Sequence, residues 1–443
     1  MNENEDFSGR LQFLSFVLVL IIAVLIGRAG YLQVYEGEFY ARLAEGNRIR
    51  VIPSEAARGT FYDRNGELLV TNRPGFAVSL LPLTESISPE VIARVSKLIN
   101  VPVAEIQQKI DAHVGFDPIR IKTDVLPDIV TIIEEQKDNY PGVVIEVLPI
   151  RDYIYGEYAA HVFGYVSEIN EEELERRKDE GYKSGYIIGK FGLERVYDKE
   201  VRGINGGDQV EVDVSGRPVQ LLGRQSPVPG NDLVLTIDKH LQEAAEQAVD
   251  AQLSIVHANA AAAVVMNPQT GEVLTMVSRP TFNPNLFVHG ISEKEWKKIN
   301  ENPYFPLDNK AITGEYPPGS TFKIVTGTAA LTEGVVTPTE QIYDSGEYME
   351  KGNASGEVLG WLDFVGGLSH SDNVYFYILG HRLGIDRLER YARMFGLGKK
   401  TGINLPYEAE GLVASRAYKE RVFEEDWYVS ETLDEAIGQG FNL

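Results

Sequence analysis

The 443-residue chain contains no cysteine, which excludes disulfides, thiolate metal sites and a cysteine nucleophile and leaves the redox compartment open. Its seven histidines show no His-x-x-x-His spacing, and no Gly-x-x-x-x-Gly-Lys-Ser/Thr loop occurs. Metal and nucleotide chemistry, and with them any cofactor, therefore have no sequence support. Basic charge is in short supply: 42 Lys and Arg face 65 Asp and Glu, for a formal net charge of −23. A surface this acidic repels phosphate backbones, so nucleic acid is excluded as a partner. Internal repeats and low-complexity tracts are also missing. What is present, 43% hydrophobic and 24% charged residues, is ordinary globular composition in a chain long enough for two or three domains.

One long uncharged run stands out, residues 11–27 (LQFLSFVLVLIIAVLIG), interrupted only by Gln12 and Ser15. As a helix it spans roughly 26 Å, the short end for a single membrane crossing. The preceding tail, MNENEDFSGR, is acidic apart from Arg10, and Arg28 follows directly. That does not fit the basic start and cleavage site of a signal peptide, so an uncleaved transmembrane anchor is predicted. Arg10 on one side, with Arg28 and Arg42 on the other, gives only weak orientation evidence, because large domains translocate largely regardless of charge.

Residues 28–225 mix helical and strand patterns and carry no catalytic signature. Ser88-Pro89 reads as an N-cap and first-turn proline opening a helix with Val91, Ile92, Val95 and Leu98 on one face. A second apolar face runs through Val130, Ile132 and Ile133, and residues 171–179 (EEELERRKD) read as a solvated helix. The turn-rich Pro227-Val228-Pro229-Gly230 is the predicted domain boundary. Beyond it, residues 233–237 read as a strand. Asp238 is placed to cap a helix with Leu241, Ala244, Ala245, Ala248 and Val249 on one face. Residues 262–266 and 272–277 flank Asn267-Pro268-Gln269-Thr270-Gly271 as a hairpin. A helix followed by an antiparallel hairpin indicates an α+β domain.

The chemical signature is Tyr316-Pro317-Pro318-Gly319-Ser320-Thr321-Phe322-Lys323. Prolines and glycine end one element, and an apolar-rich helix follows, closed by Gly334. Ser320 falls in its first turn and Lys323 projects from the same face, so hydroxyl and amine can approach each other. A desolvated lysine has a lowered pKa and can take the serine proton, while the helix N-terminus favours negative charge beside Ser320. Ser-x-x-Lys alone is expected about once or twice by chance in a chain this long, and a capping serine with an unrelated lysine is its bland reading. Context carries the case. Ser371-Asp372-Asn373 supplies a second serine as proton relay and an amide to hold a substrate carbonyl.

At this point the sequence resembles class B penicillin-binding proteins. PPGSTFK and SDNVYFYILGHRLGIDRLERYARMFGLGKKTGINLP are similar to the family's transpeptidase domain, and RGTFYDRNG (58–66) to the opening motif of its pedestal. GKFGLERVYDKEVRG (189–203) and VDVSGRPV (212–219) look like later pedestal motifs, and AAVVMNPQTGEVLTMVSRPTFNPN (262–285) like the hairpin opening the catalytic domain. RDYIYGEYAAHVFGYV (151–166) and ETLDEAIGQG (431–440) are most similar to the elongation type, the penicillin-binding protein 2 group. The resemblance implies a cytoplasmic tail (1–10), a single-pass anchor in the bacterial cell membrane (11–27), and an extracytoplasmic remainder. That remainder divides into an α+β pedestal (28–228) and a transpeptidase domain of antiparallel sheet and helices (229–443).

It further implies a peptidoglycan D,D-transpeptidase with Ser320, Lys323, Ser371 and Asn373 as catalytic residues, Ser320 and Asn373 also binding substrate. Ser320 would be acylated by the D-Ala-D-Ala end of a stem peptide, D-alanine released and the acyl group transferred to an amine, with β-lactams as inhibitors. The implied partner is a SEDS-family glycan polymerase in the membrane. The other readings are a non-catalytic activator of such a polymerase, and a β-lactam sensor or β-lactamase. The family's third motif, Lys-Thr/Ser-Gly, lies on a sheet strand. Lys400-Thr401-Gly402 fits its letters but runs into Ile403-Asn404-Leu405-Pro406, where proline breaks a central strand. It is therefore read as a decoy. The true motif is expected beyond Leu443, so the chain is read as C-terminally truncated and inactive by itself, since an absent oxyanion donor slows such reactions by about 100- to 1,000-fold.

Overall fold

The computed structural model describes residues 3–36, 49–81, 87–113, 118–212, 218–288 and 290–443, with the side chains of 3–15, 17, 35, 49–53, 212, 218, 219 and 221 excepted. Helix Glu3–Gly30 runs through the expected anchor. Its described apolar side chains, Phe16 and those between Leu18 and Ile26 among them, stand exposed. Among the described residues no helix is long and apolar enough to cross a membrane. The side chains of the expected anchor's first residues, 11–15, and the whole of Arg42 fall outside what is described.

The pedestal is built on one long antiparallel pair. Strand Leu68–Leu80 lies against Val143–Tyr153 in unbroken register from Val70↔Tyr153 to Leu80↔Val143. Ile119–Lys122 pairs with one end of Leu68–Leu80 and Phe61–Tyr62 with the other. Leu233–Val234 then adds in parallel to Phe61–Tyr62, closing a five-stranded sheet. Of the strand expected over 233–237, Leu233 and Val234 form the strand, and Leu235 N continues the pairing by donating to Tyr62 O at 2.9 Å. Ile49–Ser54, Gly206–Val212 and Pro218–Gln225 make a separate three-stranded sheet. Residues 213–217 of the expected VDVSGRPV motif lie outside the described residues.

Helix Pro89–Ile99 starts as its sequence indicates, with Ser88 Oγ accepting from Val91 N and Pro89 in the first turn. Val91, Ile92, Val95 and Ile99 are buried, with Leu98 packed beside them. Helix Pro127–Glu135 buries Ile133 in the same cluster. Helix Glu171–Arg176 has no buried residue and is held by an Asn170–Glu173 capping box, as expected of a solvated element.

The opening and later pedestal motifs meet in one buried ion cluster. Arg58 Nε donates to Glu194 Oε2 at 3.0 Å and its Nη2 to Asp198 Oδ1 at 2.9 Å. Arg151 Nε reaches Glu194 Oε1 at 2.5 Å, and Arg177 Nη1 reaches Asp198 Oδ2 at 2.9 Å. Glu194 and Asp198 are fully buried and Arg58 and Arg151 nearly so, and charges so placed are tolerable only when paired. The rest of the opening motif is a tight turn. Asp63 Oδ1 accepts from Asn65 N and Glu67 N, both at 2.8 Å, and Gly66 takes the left-handed φ of +86° that glycine adopts without strain.

The second half begins with helix Lys239–Val256, whose first turn is capped by Asp238 Oδ1 on His240 N and Leu241 N, both 3.1 Å. Its packing face differs from the expected one: Leu241, Ala244 and Ala248 are exposed, and Gln242 is buried. The reason is a polar clamp. Gln242 Oε1 accepts from Met276 N at 2.8 Å and its Nε2 donates to Met276 O at 2.9 Å, turning the helix so that a carboxamide, not leucine, faces the hairpin. That hairpin pairs Ala261–Met266 with Val273–Arg279. The remaining core gathers helices Lys323–Thr332, Asn373–Leu383, Ile385–Met394 and Val429–Ala436 around Phe322, Val325, Phe376, Leu379, Leu388 and Leu433. The α+β character expected from the sequence holds in both halves.

Candidate active site

Pro317-Pro318-Gly319 delivers the chain into a 3-10 turn, Gly319–Phe322, which continues as helix Lys323–Thr332. Gly319 occupies φ +58°, a conformation costly for a residue with a Cβ. Ser320 is exposed at this turn, and among the described residues its hydroxyl has no hydrogen-bond partner. Phe322 and Val325 fix the turn from beneath by packing into the core. Thr326 Oγ1 donates to Ala436 O at 2.7 Å, tying the helix to the 431–440 segment.

Lys323, one turn on, is 1% exposed. Its Nζ donates to Ser371 O at 2.5 Å, to Asn373 Oδ1 at 2.6 Å and to Ser371 Oγ at 3.2 Å. The Phe376 ring lies 5.5 Å from the amine. Burial pushes the Lys323 amine down to about 8, opposed by the charge of Asp372, because a desolvated ammonium is disfavoured more strongly than a neutral amine. The sequence expected the amine to approach Ser320; among the described residues no hydrogen bond joins the two, and three of the four expected residues, Lys323, Ser371 and Asn373, are joined directly. Ser320 is joined to them through the backbone of its own turn.

The second motif sits at the start of helix Asn373–Leu383, where Asp372 accepts from Tyr375 N at 2.5 Å. Ser371 is exposed and holds a left-handed φ of +54°, uncommon for a serine and sustained only where the surroundings over-determine it. Asp372 is 2% exposed, and burial raises its carboxyl, with Asp344 beside it adding to the effect. Sequence reasoning passed over Asp372; its position immediately before a helix, an N-cap signal, was the available clue.

Of Lys400-Thr401-Gly402, Thr401 and Gly402 line a cleft to which Tyr316, Pro318 and Phe322 also contribute. Thr401 N and Gly402 N donate to the Glu408 carboxylate at 2.7 and 3.3 Å, and the Thr401 hydroxyl also bonds to it. These residues form no strand. Among the described residues none of the three is hydrogen-bonded to Ser320, Lys323, Ser371 or Asn373. No group of three or more His, Asp or Glu among the described residues is arranged to hold a metal ion.

Residues 53–235 match the penicillin-binding protein dimerisation domain and residues 261–443 the penicillin-binding protein transpeptidase domain. The peptidoglycan D,D-transpeptidase MrdA of Acinetobacter baumannii is 34% identical over 99% of this chain and 66% of its own length. The enzyme of the same name from Escherichia coli is 33% identical over 96% and 68%. The chain thus spans about two thirds of the length of these relatives. Among solved structures, penicillin-binding protein 2 of Helicobacter pylori in complex with MreC superposes with a TM-score of 0.78 at 27% identity, over 89% of this chain and 74% of that one. A structure described as coordinating polymerization and crosslinking in a peptidoglycan synthase complex gives 0.68 at 31% identity, over 98% and 75%. With both domain types in their order and relatives along nearly its whole length, the chain belongs to the penicillin-binding proteins, in the group of peptidoglycan D,D-transpeptidases.

Proposed function

We propose that Ser320 is the nucleophile of this transpeptidase. Its hydroxyl attacks the carbonyl between the two D-alanines of a stem peptide, D-alanine leaves with a proton, and the acyl group passes to a neighbouring amine. Lys323 takes the serine proton, Ser371 relays it to the leaving nitrogen, and Asn373 holds the substrate carbonyl. Lys400-Thr401-Gly402 takes no part. β-Lactams acylate the same serine. The observation that carries this reading is the Lys323 amine, buried yet bonded to Ser371 and Asn373, one turn after an exposed and unengaged hydroxyl. Such an amine is matched to general-base work near neutral pH.

The anchor, residues 11–27, makes a single crossing with 1–10 in the cytoplasm, and the pedestal (28–228) raises the catalytic half (229–443) outside the membrane. One structural relative is seen with MreC and another within a peptidoglycan synthase complex. By extension the anchor and pedestal of this chain engage a wall-elongation assembly, with a SEDS-family glycan polymerase as partner.

The test is labelling of the full-length protein with a fluorescent penicillin, followed by mapping of the adduct. The expected result is one covalent adduct on Ser320, absent from Ser320→Ala and slow to hydrolyse. Undiminished labelling of Ser320→Ala would end the proposal, and rapid turnover of the adduct would point to a β-lactamase instead.

A further inference from the structure

Asn353 lies far from the site motifs in sequence, just after the small hairpin of Glu347–Tyr348 with Lys351–Gly352, yet its side chain is the hub beneath the second motif. Its Oδ1 accepts from Asn373 N at 2.9 Å and from Val374 N at 3.3 Å. These are first-turn amides of helix Asn373–Leu383, which have no partner within the helix. Its Nδ2 donates to Asp344 Oδ2 at 3.0 Å, to Glu357 O at 3.0 Å and to Asp372 Oδ2 at 3.2 Å. One carboxamide therefore fastens the segment between residues 344 and 359 to the turn that carries Ser371 and Asn373.

The surroundings of this half-buried side chain are chemically restrictive. Asp344 and Asp372 are 1% and 2% exposed. Asp344 is itself held by Gly346 N on Oδ1 and Leu359 N on Oδ2, both at 2.7 Å. Two buried carboxyl groups side by side repel when both are ionised, and the neutral amide between them gives each a donor. An apolar residue would remove those donors, and a carboxylate would add a third negative charge. The asparagine carboxamide offers both an acceptor for the helix amides and donors for the acids, and glutamine, the other carboxamide, is one methylene longer.

We infer that Asn353 is the positioning residue of the second motif, holding Asn373 directly and Ser371 through Asp372 where the Lys323 amine meets them. The inference rests on the proposed roles of those residues. Three further contacts fix the same turn: Ser371 N donates to Leu368 O at 3.1 Å, Asp372 N to Gly367 O at 2.9 Å, and Lys323 Nζ to Ser371 O. Without Asn353 the helix start loses one of its two side-chain caps, and the left-handed Ser371 loses the anchor downstream of it. The turn then opens and water reaches Lys323. Asp372 is the acid that acts on that amine, favouring its charged form, and Asp344 acts on Asp372 in turn.

The experiment is the rate of penicillin acylation against pH in the full-length protein, for the parent, Asn353→Ala, Asn353→Asp and Ser320→Ala. Asn353→Ala is expected to acylate about 10- to 100-fold more slowly at pH 7, in line with the cost of small misplacements in a catalytic site. Its pH midpoint should move to higher pH because Lys323 regains solvent. Asn353→Asp keeps the shape of the side chain and is expected to show the same upward shift with slower acylation above neutrality; it carries the test if Asn353→Ala does not melt cooperatively. Rates and midpoints equal to the parent's in both variants, with Ser320→Ala unlabelled, would overturn this inference alone. Labelling of Ser320→Ala would overturn the functional reading beneath it.

Discussion

Gly438 and Gly319 touch backbone to backbone: Gly319 N donates to Gly438 O at 2.8 Å, and a Cβ built on Gly438 would lie 2.2 Å from Gly319 O and 2.7 Å from Phe322 Cβ. The residue before the nucleophile is therefore seated on the turn near residue 438, which itself requires φ +72°. Gly438→Ala is expected to push the Ser320 turn away from Lys323 and to slow acylation by about 100-fold, the scale of a 1 Å displacement. Stopped-flow acylation by a chromogenic cephalosporin reads it. Gln439→Ala, next door, serves as the comparison; equal rates in the two variants would refute the seat.

The Lys323 amine, held down to about 8 by burial, sets a direction for the pH profile. Only its neutral form accepts the serine proton, so acylation should climb about tenfold per pH unit below 8 and level off above it. Lys323→Arg should be inactive at every pH, because a guanidinium stays charged. A flat profile between pH 6 and 9 would contradict this assignment.

Glu435 makes the opposite kind of statement. It is fully buried, accepts from Phe441 N at 2.7 Å, and burial pushes its carboxyl up to about 7. Between about pH 4.5 and 7 the folded chain keeps a proton that the unfolded chain has lost. Stability contributed by that proton is complete below the window and is lost as pH rises through it, by about 1.4 kcal/mol per unit. Glu435→Gln retains an acceptor and removes the charge, so it should melt like the parent at pH 5 and above the parent at pH 8. A variant no more stable than the parent at pH 8 would count against this.

The buried ion cluster predicts an asymmetry between charges in the pedestal. Arg58→Ala leaves Glu194 and Asp198 each short of a partner inside the protein and should destabilise by about 3–5 kcal/mol. Lys178→Ala removes an exposed pair with Glu175 and should change stability by less than about 1 kcal/mol. Denaturant titration of both variants checks the contrast; similar losses would mean that the cluster is not the stabilising element.

Legibility in the sequence followed the range of the interactions. Ser88, Asp238 and the Asn267–Gly271 turn were readable because caps and turns are satisfied within a few residues. Ser320, Lys323, Ser371 and Asn373 were named from two short motifs taken together with the family resemblance, and three of them, Lys323, Ser371 and Asn373, are brought into hydrogen-bonding contact. The strand Leu68–Leu80 was not, since Asn72, Pro74 and Gly75 are turn letters. They are accommodated in a strand because Arg151, Pro149 and Leu148 lie opposite them on a partner far along the chain. Asn353 and the buried face of helix Lys239–Val256 were hidden for the same reason. Their role is decided by Asp344, Asp372 and Met276, which no local pattern connects to them.

The Asp63 turn has a consequence for anyone who would divide the molecule. Besides closing its own loop, Asp63 accepts from Lys239 N at 3.2 Å, and Asn65 Nδ2 donates to Asp238 Oδ2 at the same distance. The leading helix of the catalytic half thus borrows one first-turn partner, and a bond to its capping acid, from the pedestal. Scissors applied at the Pro227–Gly230 turn would cut a segment that is itself bonded to the pedestal, Val228 to Ile204 and Gly230 N to Ala57 O, and would strand an amide, a capping acid and the Leu233–Val234 strand without their counterparts. The seam that the chain itself draws runs through the pedestal's sheet, and the two halves are best exchanged between relatives together.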